Sequence, residues 1–274
     1  IGNFGNTILD KKNLKHYLSK IDILIIELSS FQLDKLKYIK FHYALITNIF
    51  SDHLDYHKNN RNYVKSKFRI QNYLFDKSYF FLSRKIYLKY RKLIKINKKR
   101  IILNTDEVPF TKDLHGHIEK LNLNSIKKLI NIIDPKIKYK NLKFKNSLIF
   151  RNQLIYAKNN LKVYNDSKCT NLNNAIYKNN LINSFQKILI IGGKLKKQDD
   201  NIKFNVTNTL VLIFGHQNNL FYDRINFVNS NYFKFNNLDL LIDFLKLAIK
   251  THKFKYILFS PGGESYDVYK DYLD

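Results

Sequence analysis

The sequence predicts an α/β fold built on parallel sheets. Short apolar runs recur along the chain, and each of them ends in a cluster of polar residues. Such runs are typical of parallel strands that are buried on both faces. Segments with helical spacing lie between them, and this alternation favours an α/β architecture. The six runs that we predict as strands are Ile21–Ile26, Tyr43–Ile49, Leu161–Tyr164, Lys187–Ile191, Thr209–Phe214 and Tyr256–Phe259.

The helices are predicted from apolar residues that recur every three or four positions. This spacing occurs in Tyr63–Leu74, Leu121–Ile133 and Leu238–Ile249, each of which lies between two of the predicted strands. Two further short apolar runs, Tyr79–Leu82 and Ile101–Leu103, indicate additional strands. The first and second halves of the chain therefore each contain a strand and helix series.

A domain boundary is predicted near Lys140–Asn152. That stretch is polar and basic, follows Pro135, and precedes a new series of strands and helices. We predict a first domain at 1–146 and a second at 147–274, each of a size that one hydrophobic core can support.

The composition limits the classes of function. A net charge of +26 is compatible with a basic nucleic-acid-binding protein, which stays open as an alternative. However, the lysines are spread over the whole chain, and even the densest patch, Lys85–Arg100, fits a solvated surface. No apolar run approaches the roughly 20 residues of a membrane helix. One cysteine, Cys169, fits a reducing compartment. We expect a cytoplasmic protein with no nucleic-acid or membrane partner.

Three motifs occupy ends of predicted strands or follow them closely. They are Glu27–Leu33 (ELSSFQL), Ser51–Asp55 (SDHLD) and Asn165–Asn171 (NDSKCTN). Ligands of open α/β sheets bind beyond the carboxyl ends of the strands, so these positions favour a common site. Together the motifs resemble the Mur ligase family, the ATP-dependent amide ligases of peptidoglycan precursor synthesis. Within that family they are most similar to the branch that adds D-glutamate to UDP-N-acetylmuramoyl-L-alanine.

The resemblance runs from Gly2 to about Tyr272 and implies a domain order. It implies a parallel-sheet Mur ligase central (ATPase) domain, truncated at its N-terminus, followed by a Rossmann-like C-terminal domain that binds the amino acid. Family members carry a phosphate-binding loop, Gly-x-x-Gly-Lys-Thr/Ser, upstream of the part that matches Gly2–Gly5. No such sequence occurs within the 274 residues, so we expect this polypeptide alone to turn over little.

The resemblance implies magnesium ligands at Glu27, His53 and Lys67. A carboxylate after a strand suits Mg²⁺ beside phosphates, although Glu27 could instead cap a helix. Lys67 matches a carbamylated lysine, whose formation needs a neutral amine. His53 and His57 have the spacing of a zinc-binding helix, but the Glu that follows the first histidine in zinc hydrolases is absent.

The resemblance also implies binding residues for ATP and for the two other substrates. Catalysis is expected from Lys67, His53 and Lys168. The ATP ligands would be Asn122, Arg151, Asp166 and Lys168. The residues implied for substrate binding are Asn3, Ser29, Gln32, Thr170, Lys196, Ser265, Tyr266 and Tyr272. Among them, Ser265 belongs to the segment Ser260–Asp267, which resembles the family pattern Ser-Pro-Ala-x-Ala-Ser-x-Asp.

Residue chemistry favours glutamate among the amino acids that the family adds. Lysine and serine at three strand ends suit a dicarboxylate, and Gly192–Gly193 allows a tight turn before Lys196. Thr170 would contact the amino acid near a helix start, where free amides favour an anion. Cys169 takes the place of a small alanine and lacks the surroundings of a nucleophile.

The implied reaction has two steps and needs ATP and Mg²⁺. ATP phosphorylates the terminal carboxylate of UDP-N-acetylmuramoyl-L-alanine, and the D-glutamate amine then displaces phosphate. We expect a monomer. A degraded, non-catalytic relic of such a ligase is the main alternative, and the replacement of family residues by Ile118, Glu119 and Ile149 suits it.

Overall fold

The computed structural model describes residue 16 and residues 19–95, 100–104, 114–137, 149–196 and 203–265. These residues form two compact units, which are treated separately below. Unit 1 takes in the described residues of Ile1–Ile46 and Arg61–Leu103, and unit 2 those of Thr47–Asn60 and Asn104–Asp274. The units group residues by contact, and the division into domains 1–146 and 147–274 stays a prediction.

Unit 1 is organised around a sheet of three strands in the order β1-β2-β3. Strands β1 and β2 pair in parallel. In β2, the residues Phe80, Phe81 and Leu82 are almost completely buried. The elements of this unit are α1 (Ser30–Lys35), β1 (Phe41–Ile46), α3 (Asn60–Phe68), β2 (Leu74–Ser83), α4 (Arg84–Tyr90) and β3 (Arg100–Asn104), with short 3-10 turns at Arg69–Tyr73 and Arg91–Leu93.

Unit 2 is organised around a sheet of six strands in the order β10-β8-β6-β11-β5-β4. All neighbouring strands run parallel except β4, which pairs antiparallel with β5 at one edge. The strands of this sheet are β4 (Gln153–Lys158), β5 (Leu161–Asn165), β6 (Lys187–Gly192), β8 (Leu210–Phe214), β10 (Asn231–Phe235) and β11 (Tyr256–Gly262).

The other elements of unit 2 include helices and a two-stranded parallel sheet, β7-β9. Their bounds are α2 (Leu54–His57), α5 (Leu114–Ile133), α6 (Leu172–Leu181), β7 (Phe204–Thr207), α7 (Asn218–Asp223), β9 (Ile225–Val228) and α8 (Leu238–Thr251). Among the described residues, no helix combines the length and the apolar character that crossing a membrane requires.

The large sheet is buried on both faces, as its apolar strands predict. Along β6, Leu189 and Ile191 belong to one core cluster, whereas Ile188 and Ile190 belong to another. Successive side chains of a strand point to opposite faces, so this alternation means that both faces are covered. Residues of α6 belong to the first cluster and residues of α8 to the second. The predicted α/β fold with parallel sheets is confirmed.

One predicted strand was wrong. Ile21–Ile26 has no strand assignment, and Ile23, Leu24 and Ile25 expose 53%, 41% and 77% of their surface. A strand needs a neighbour to complete its hydrogen bonds. Within the described residues, an isolated bridge occurs just after this segment, at Glu27, and none within it. An apolar run alone is therefore not sufficient to predict a strand.

Most other predicted elements are present, with shifted ends. The helix predicted at Tyr63–Leu74 begins earlier, at Asn60, and changes to a 3-10 turn after Phe68. The helix predicted from Leu121 begins at Leu114. These shifts are of the kind expected at helix ends, where periodicity carries little information.

Candidate active site

The carboxyl ends of three strands of the large sheet lie side by side. Strand β11 lies between β5 and β6, although it follows both of them in sequence. The loops that leave β5, β6 and β11 carry the predicted site residues Asp166–Thr170, Lys196 and Ser265. In open α/β sheets such a change in strand order marks the place where ligands bind.

Backbone hydrogen bonds join the loops after β6 and β11. The Lys194 amide donates to the Glu264 carbonyl at 2.7 Å, and the Glu264 amide donates to the Lys194 carbonyl at 2.8 Å. Gly193 permits this approach, because its φ is +93° and a Cβ there would lie 2.5 Å from the Glu264 carbonyl oxygen. The Gly-Gly turn noted in the sequence therefore allows the two loops to approach each other, three residues before Lys196.

Backbone hydrogen bonds also join the loop after β5 to strand β11. The Gly262 amide donates to the Cys169 carbonyl at 2.8 Å, and the Asp166 amide donates to the Phe259 carbonyl at 2.8 Å. Burial raises the pKa of the Cys169 thiol. A neutral, buried thiol agrees with the prediction that Cys169 is a small packing residue and no nucleophile.

Lys196 lies between two carboxylates within unit 2. Its Nζ is 3.1 Å from Asp52 Oδ1 and 3.8 Å from Glu264 Oε1. The Lys196 side chain is 13% exposed, the Asp52 side chain 22% and the Glu264 side chain 36%. The ammonium group is therefore screened from much of the solvent but remains reachable, as a binding group for an acidic ligand must be.

The N-terminus of α6 is hydrogen-bonded to Ser51, the residue before Asp52. Asn171 is the N-cap of α6: its Oδ1 accepts from the Asn174 amide at 3.1 Å, and its Nδ2 donates to the Ser51 carbonyl. Thr170 directly precedes this cap. An N-terminal helix end offers free amides and a positive dipole end, which suit an anion.

Asp166 is buried and both of its carboxylate oxygens are in use. Lys178 Nζ and the Ser260 hydroxyl donate to Oδ2 at 2.6 and 2.7 Å, and the Asn152 amide donates to Oδ1 at 3.2 Å. Asp166 is 1% exposed. In this arrangement it connects the loop after β5 with α6 and β11, and its predicted role toward the ATP ribose stays a prediction.

Lys168 and Arg151 are both exposed, and both are neighbours of Phe150. Lys168 Nζ lies 6.0 Å from the centre of the Phe150 ring, and the Lys168 amide donates to the Phe150 carbonyl at 3.2 Å. Arg151 follows Phe150 directly and is exposed. Two exposed cations near the end of β5 could bind phosphate groups, because guanidinium and ammonium groups both donate to phosphate oxygens.

In unit 1, the predicted substrate ligands Ser29 and Gln32 form a capping box on α1. The Ser29 Oγ accepts from the Gln32 amide at 3.3 Å, while the Ser29 amide donates to Gln32 Oε1 at 2.8 Å. Such reciprocal bonds satisfy free amides at a helix start. Glu27 lies two residues before Ser29 and is exposed. The cap is thus Ser29 and not Glu27.

Lys67 and Lys65 occupy different environments on α3. Lys67 is half-buried, with its Nζ 5.2 Å from the centre of the Tyr63 ring, whereas Lys65 is exposed. Ser66, between them, is buried and donates its hydroxyl to the Ser30 carbonyl at 2.7 Å. This difference agrees with the choice of Lys67 over Lys65, while the carbamate itself stays a prediction.

His53 adopts a left-handed backbone conformation, with φ at 55°. Its Nε2 lies 3.7 Å from Asp52 Oδ2. Histidine adopts this conformation more often than most residues do, and His53 is one of ten non-glycine residues with positive φ in the described part of the chain. His57 is buried, and within the described part of the chain no group of three or more His, Cys, Asp or Glu side chains is arranged to hold a metal.

The remaining predicted residues are distributed as follows. Asn122 lies in α5, and Ser265, half-buried, follows Glu264 at the end of the loop after β11. Asn3, Tyr266 and Tyr272 lie outside the described residues. The roles assigned to all of these positions stay predictions.

Sequence reasoning missed four residues of this region. Asp52 and Glu264 pair with Lys196, and Lys178 and Ser260 pair with Asp166. Lys178 lies 12 positions after Asp166, on the last turns of α6, and one lysine among so many carries no signal. Ser260 and Asp52 were visible as polar residues after strands, but their partners lie 94 and 144 positions away.

Comparison with known proteins identifies the class to which this fold and these motifs belong. A sequence model of the Mur ligase middle domain matches residues 1–155, which is more than half of the chain. The chain belongs to the Mur ligase family, and the predicted resemblance is confirmed.

The relatives that match nearly the whole chain include two from different bacteria, and both are called UDP-N-acetylmuramoylalanine–D-glutamate ligase. The one from Fervidobacterium nodosum is 28% identical over 287 residues, and the one from Prochlorococcus marinus is 30% identical over 304 residues. Each match covers 99% of this chain and 64% of the relative. The chain therefore spans less than two thirds of the length of these relatives.

Solved structures agree in fold. MurF from Acinetobacter baumannii superimposes with a TM-score of 0.57 at 11% identity, over 81% of this chain and 57% of that one. MurF ligase from Thermotoga maritima, solved in complex with ADP, gives a TM-score of 0.55 at 11% identity, over 81% of this chain and 58% of that one. At this identity the likeness concerns the fold alone.

Proposed function

We propose that this chain is part of an ATP-dependent ligase that adds D-glutamate to UDP-N-acetylmuramoyl-L-alanine in peptidoglycan precursor synthesis. The observation that carries the proposal is the meeting of three strand-end loops around Lys196, in a chain that matches two D-glutamate ligases over 99% of its length. The family membership supports the reaction class, and the loop geometry supports the acidic amino acid.

The amino acid would bind at the carboxyl ends of β5, β6 and β11. The Lys196 ammonium would bind a carboxylate of D-glutamate, because it is a poorly exposed cation at this edge of the sheet. Thr170, just before α6, and Ser265 would donate hydroxyl hydrogens to the same ligand. A dicarboxylate matches this donor set better than a neutral or basic amino acid does.

The phosphoryl transfer would use two exposed cations, Arg151 before β4 and Lys168 after β5. A terminal carboxylate oxygen of UDP-N-acetylmuramoyl-L-alanine attacks the γ-phosphorus of ATP, ADP leaves, and an acyl phosphate remains. Lys168 and Arg151 would neutralise charge that develops on the transferred group, and such positioned cations are the main source of rate in phosphoryl transfer. Asp166 and Asn122 would bind the nucleoside of ATP.

Amide formation would follow at the acyl phosphate. The D-glutamate amine attacks the carbonyl carbon, inorganic phosphate departs, and the amine loses its proton to solvent. Holding the amino acid at Lys196 brings its amine to the carbonyl in a fixed orientation, which removes much of the entropic barrier. Asn3, Ser29, Gln32, Tyr266 and Tyr272 would bind the two substrates, as the resemblance implies.

Magnesium fits the donor chemistry that the resemblance assigns. The Glu27 carboxylate and a Lys67 carbamate would supply oxygen ligands, which Mg²⁺ prefers, and His53 would add a nitrogen ligand. When bound, the ion neutralises phosphate charge. Because its substrates are a nucleotide sugar and ATP, we expect the enzyme to work in the cytoplasm. We also expect it to be a monomer.

Complementation tests the proposal and separates it from a relic. The full open reading frame that contains this chain is expressed in a bacterium whose own D-glutamate ligase is switched off. We expect growth with the wild type, no growth with Lys196→Ala, and normal growth with the control Lys246→Ala, an exposed lysine on α8. A stable wild-type protein that fails to restore growth would favour the relic and contradict the proposal.

A further inference from the structure

Lys196 has two carboxylate partners within unit 2. We propose that Glu264 is an affinity-setting residue, which competes with the incoming amino acid for Lys196 and so lowers the affinity for D-glutamate. The inference rests on the proposed function and adds to it a residue to which the resemblance assigns no role. Its basis is the arrangement of one ammonium group, Asp52 and Glu264 within unit 2.

The position of Glu264 is fixed by its backbone. Its amide and carbonyl both bond to Lys194, so the side chain leaves the loop at a set place beside Lys196. Replacing the Glu264 side chain removes the carboxylate but leaves these two backbone bonds available. The effect of the charge can therefore be measured separately from the effect of the loop.

Glu264 is the partner of Lys196 that a ligand displaces more readily. Asp52 Oδ1 accepts hydrogen bonds both from Lys196 Nζ, at 3.1 Å, and from the His53 amide, at 2.8 Å. Glu264 Oε1 is 3.8 Å from Nζ, beyond hydrogen-bond distance, and its side chain is 36% exposed. A substrate carboxylate at Lys196 would take the side that Glu264 now faces and be repelled while Glu264 stays there.

The sequence pattern supports an added function for this carboxylate. The pattern Ser-Pro-Ala-x-Ala-Ser-x-Asp, which Ser260–Asp267 resembles, has alanine where this chain has Glu264. Glu264 thus places a negative charge beside the group that would bind an anion. Such a like charge lowers the affinity of the site for a carboxylate ligand.

Steady-state kinetics with the full-length protein tests the inference. The KM for D-glutamate is measured for the wild type, for Glu264→Gln and Glu264→Ala, and for a control, Asp243→Asn. Asp243 carries the same charge but lies on α8, with its side chain 70% exposed. We expect the KM for D-glutamate to fall roughly two- to fivefold in both Glu264 variants, with kcat nearly unchanged.

The outcomes separate this inference from the proposed function. A lower KM for D-glutamate in both Glu264 variants would support the role of Glu264, provided that the KM values for ATP and for the nucleotide sugar, and the control, are unchanged. D-Glutamate-dependent turnover with an equal or higher KM in the Glu264 variants would overturn the inference and leave the proposed function intact. A folded wild type without D-glutamate-dependent turnover would overturn both.

Discussion

Asp166 is the residue on which the loop after β5 depends most. A carboxylate that is 1% exposed is stable only when its charge and its lone pairs are satisfied. Here Lys178, Ser260 and the Asn152 amide meet that need. Such a pair contributes little when intact but costs a great deal when one partner is removed, because the other charge stays buried.

We predict that Asp166→Asn lowers the free energy of unfolding by about 3–5 kcal/mol, since the Lys178 ammonium loses its partner. Lys178→Met added to Asp166→Asn should recover part of this loss. Urea unfolding measures both, with Asp223→Asn at the exposed end of α7 as the control. An Asp166→Asn protein within about 0.5 kcal/mol of the wild type would show that the pair carries no such weight.

The resemblance to family motifs named part of this region. Asp166, Lys168 and Lys196 were chosen because they match family motifs that follow predicted strands, where ligands of open α/β sheets bind, and their roles stay predictions. Glu264 and Asp52 were not found, since ion pairs between distant loops leave no periodic or local signal in a single sequence. Charge pairing was hidden further by the many lysines, 48 of the residues being Lys or Arg.

At the scale of elements, the C-terminal end of α6 is bonded to a buried lysine of the neighbouring strand β6. Lys187, the first residue of β6, donates its Nζ to the carbonyls of Asn179 and Ile182 at 3.0 and 2.8 Å. These carbonyls belong to the last turn of α6 and to its C-cap, where a cation is favourable. Lys187 is 2% exposed, and burial lowers its pKa from 10.5 to about 8.

This lysine predicts a pH dependence of stability. Below about pH 8 the amine binds a proton in both states, so the cost of burying the charge is fully present. Between about 8 and 10.5 the unfolded state binds more protons, and the free energy of unfolding rises with pH. We predict that the wild type gains stability relative to Lys187→Met over this interval, in urea unfolding from pH 7 to 10.

The comparison between variants isolates Lys187, because other titrating groups are common to both proteins. The control is Lys246→Met, whose exposed side chain should give a profile parallel to that of the wild type. Parallel profiles for wild type and Lys187→Met would contradict the lowered pKa.

Elements were predicted well where two faces of a strand are buried and poorly elsewhere. The strands β5, β6, β8 and β11 were found from continuous apolar runs, whereas β4 and β10 were missed because they are edge strands with many exposed residues. Ile21–Ile26 shows the converse, since its apolar run is not paired as a strand. Pairing is a property of the sheet and not of one segment.

At the scale of the whole molecule, fold and family agree with the sequence-based prediction, whereas activity rests on the proposal. The chain spans 64% of the length of two relatives that match it almost end to end. The proposed roles of Glu27, His53 and Lys67 toward magnesium are therefore best tested in the full open reading frame that contains this chain.

The central claim is D-glutamate addition with Lys196 as the carboxylate-binding group. The measurement is product mass after the full-length protein is incubated with UDP-N-acetylmuramoyl-L-alanine, ATP and Mg²⁺, with or without D-glutamate. We predict the D-glutamyl product only when D-glutamate is present, and a loss of roughly 100-fold or more in kcat/KM for Lys196→Ala, because one buried charge contact is removed. A folded wild type that forms no such product, or a Lys196→Ala variant as active as the wild type, would contradict the account.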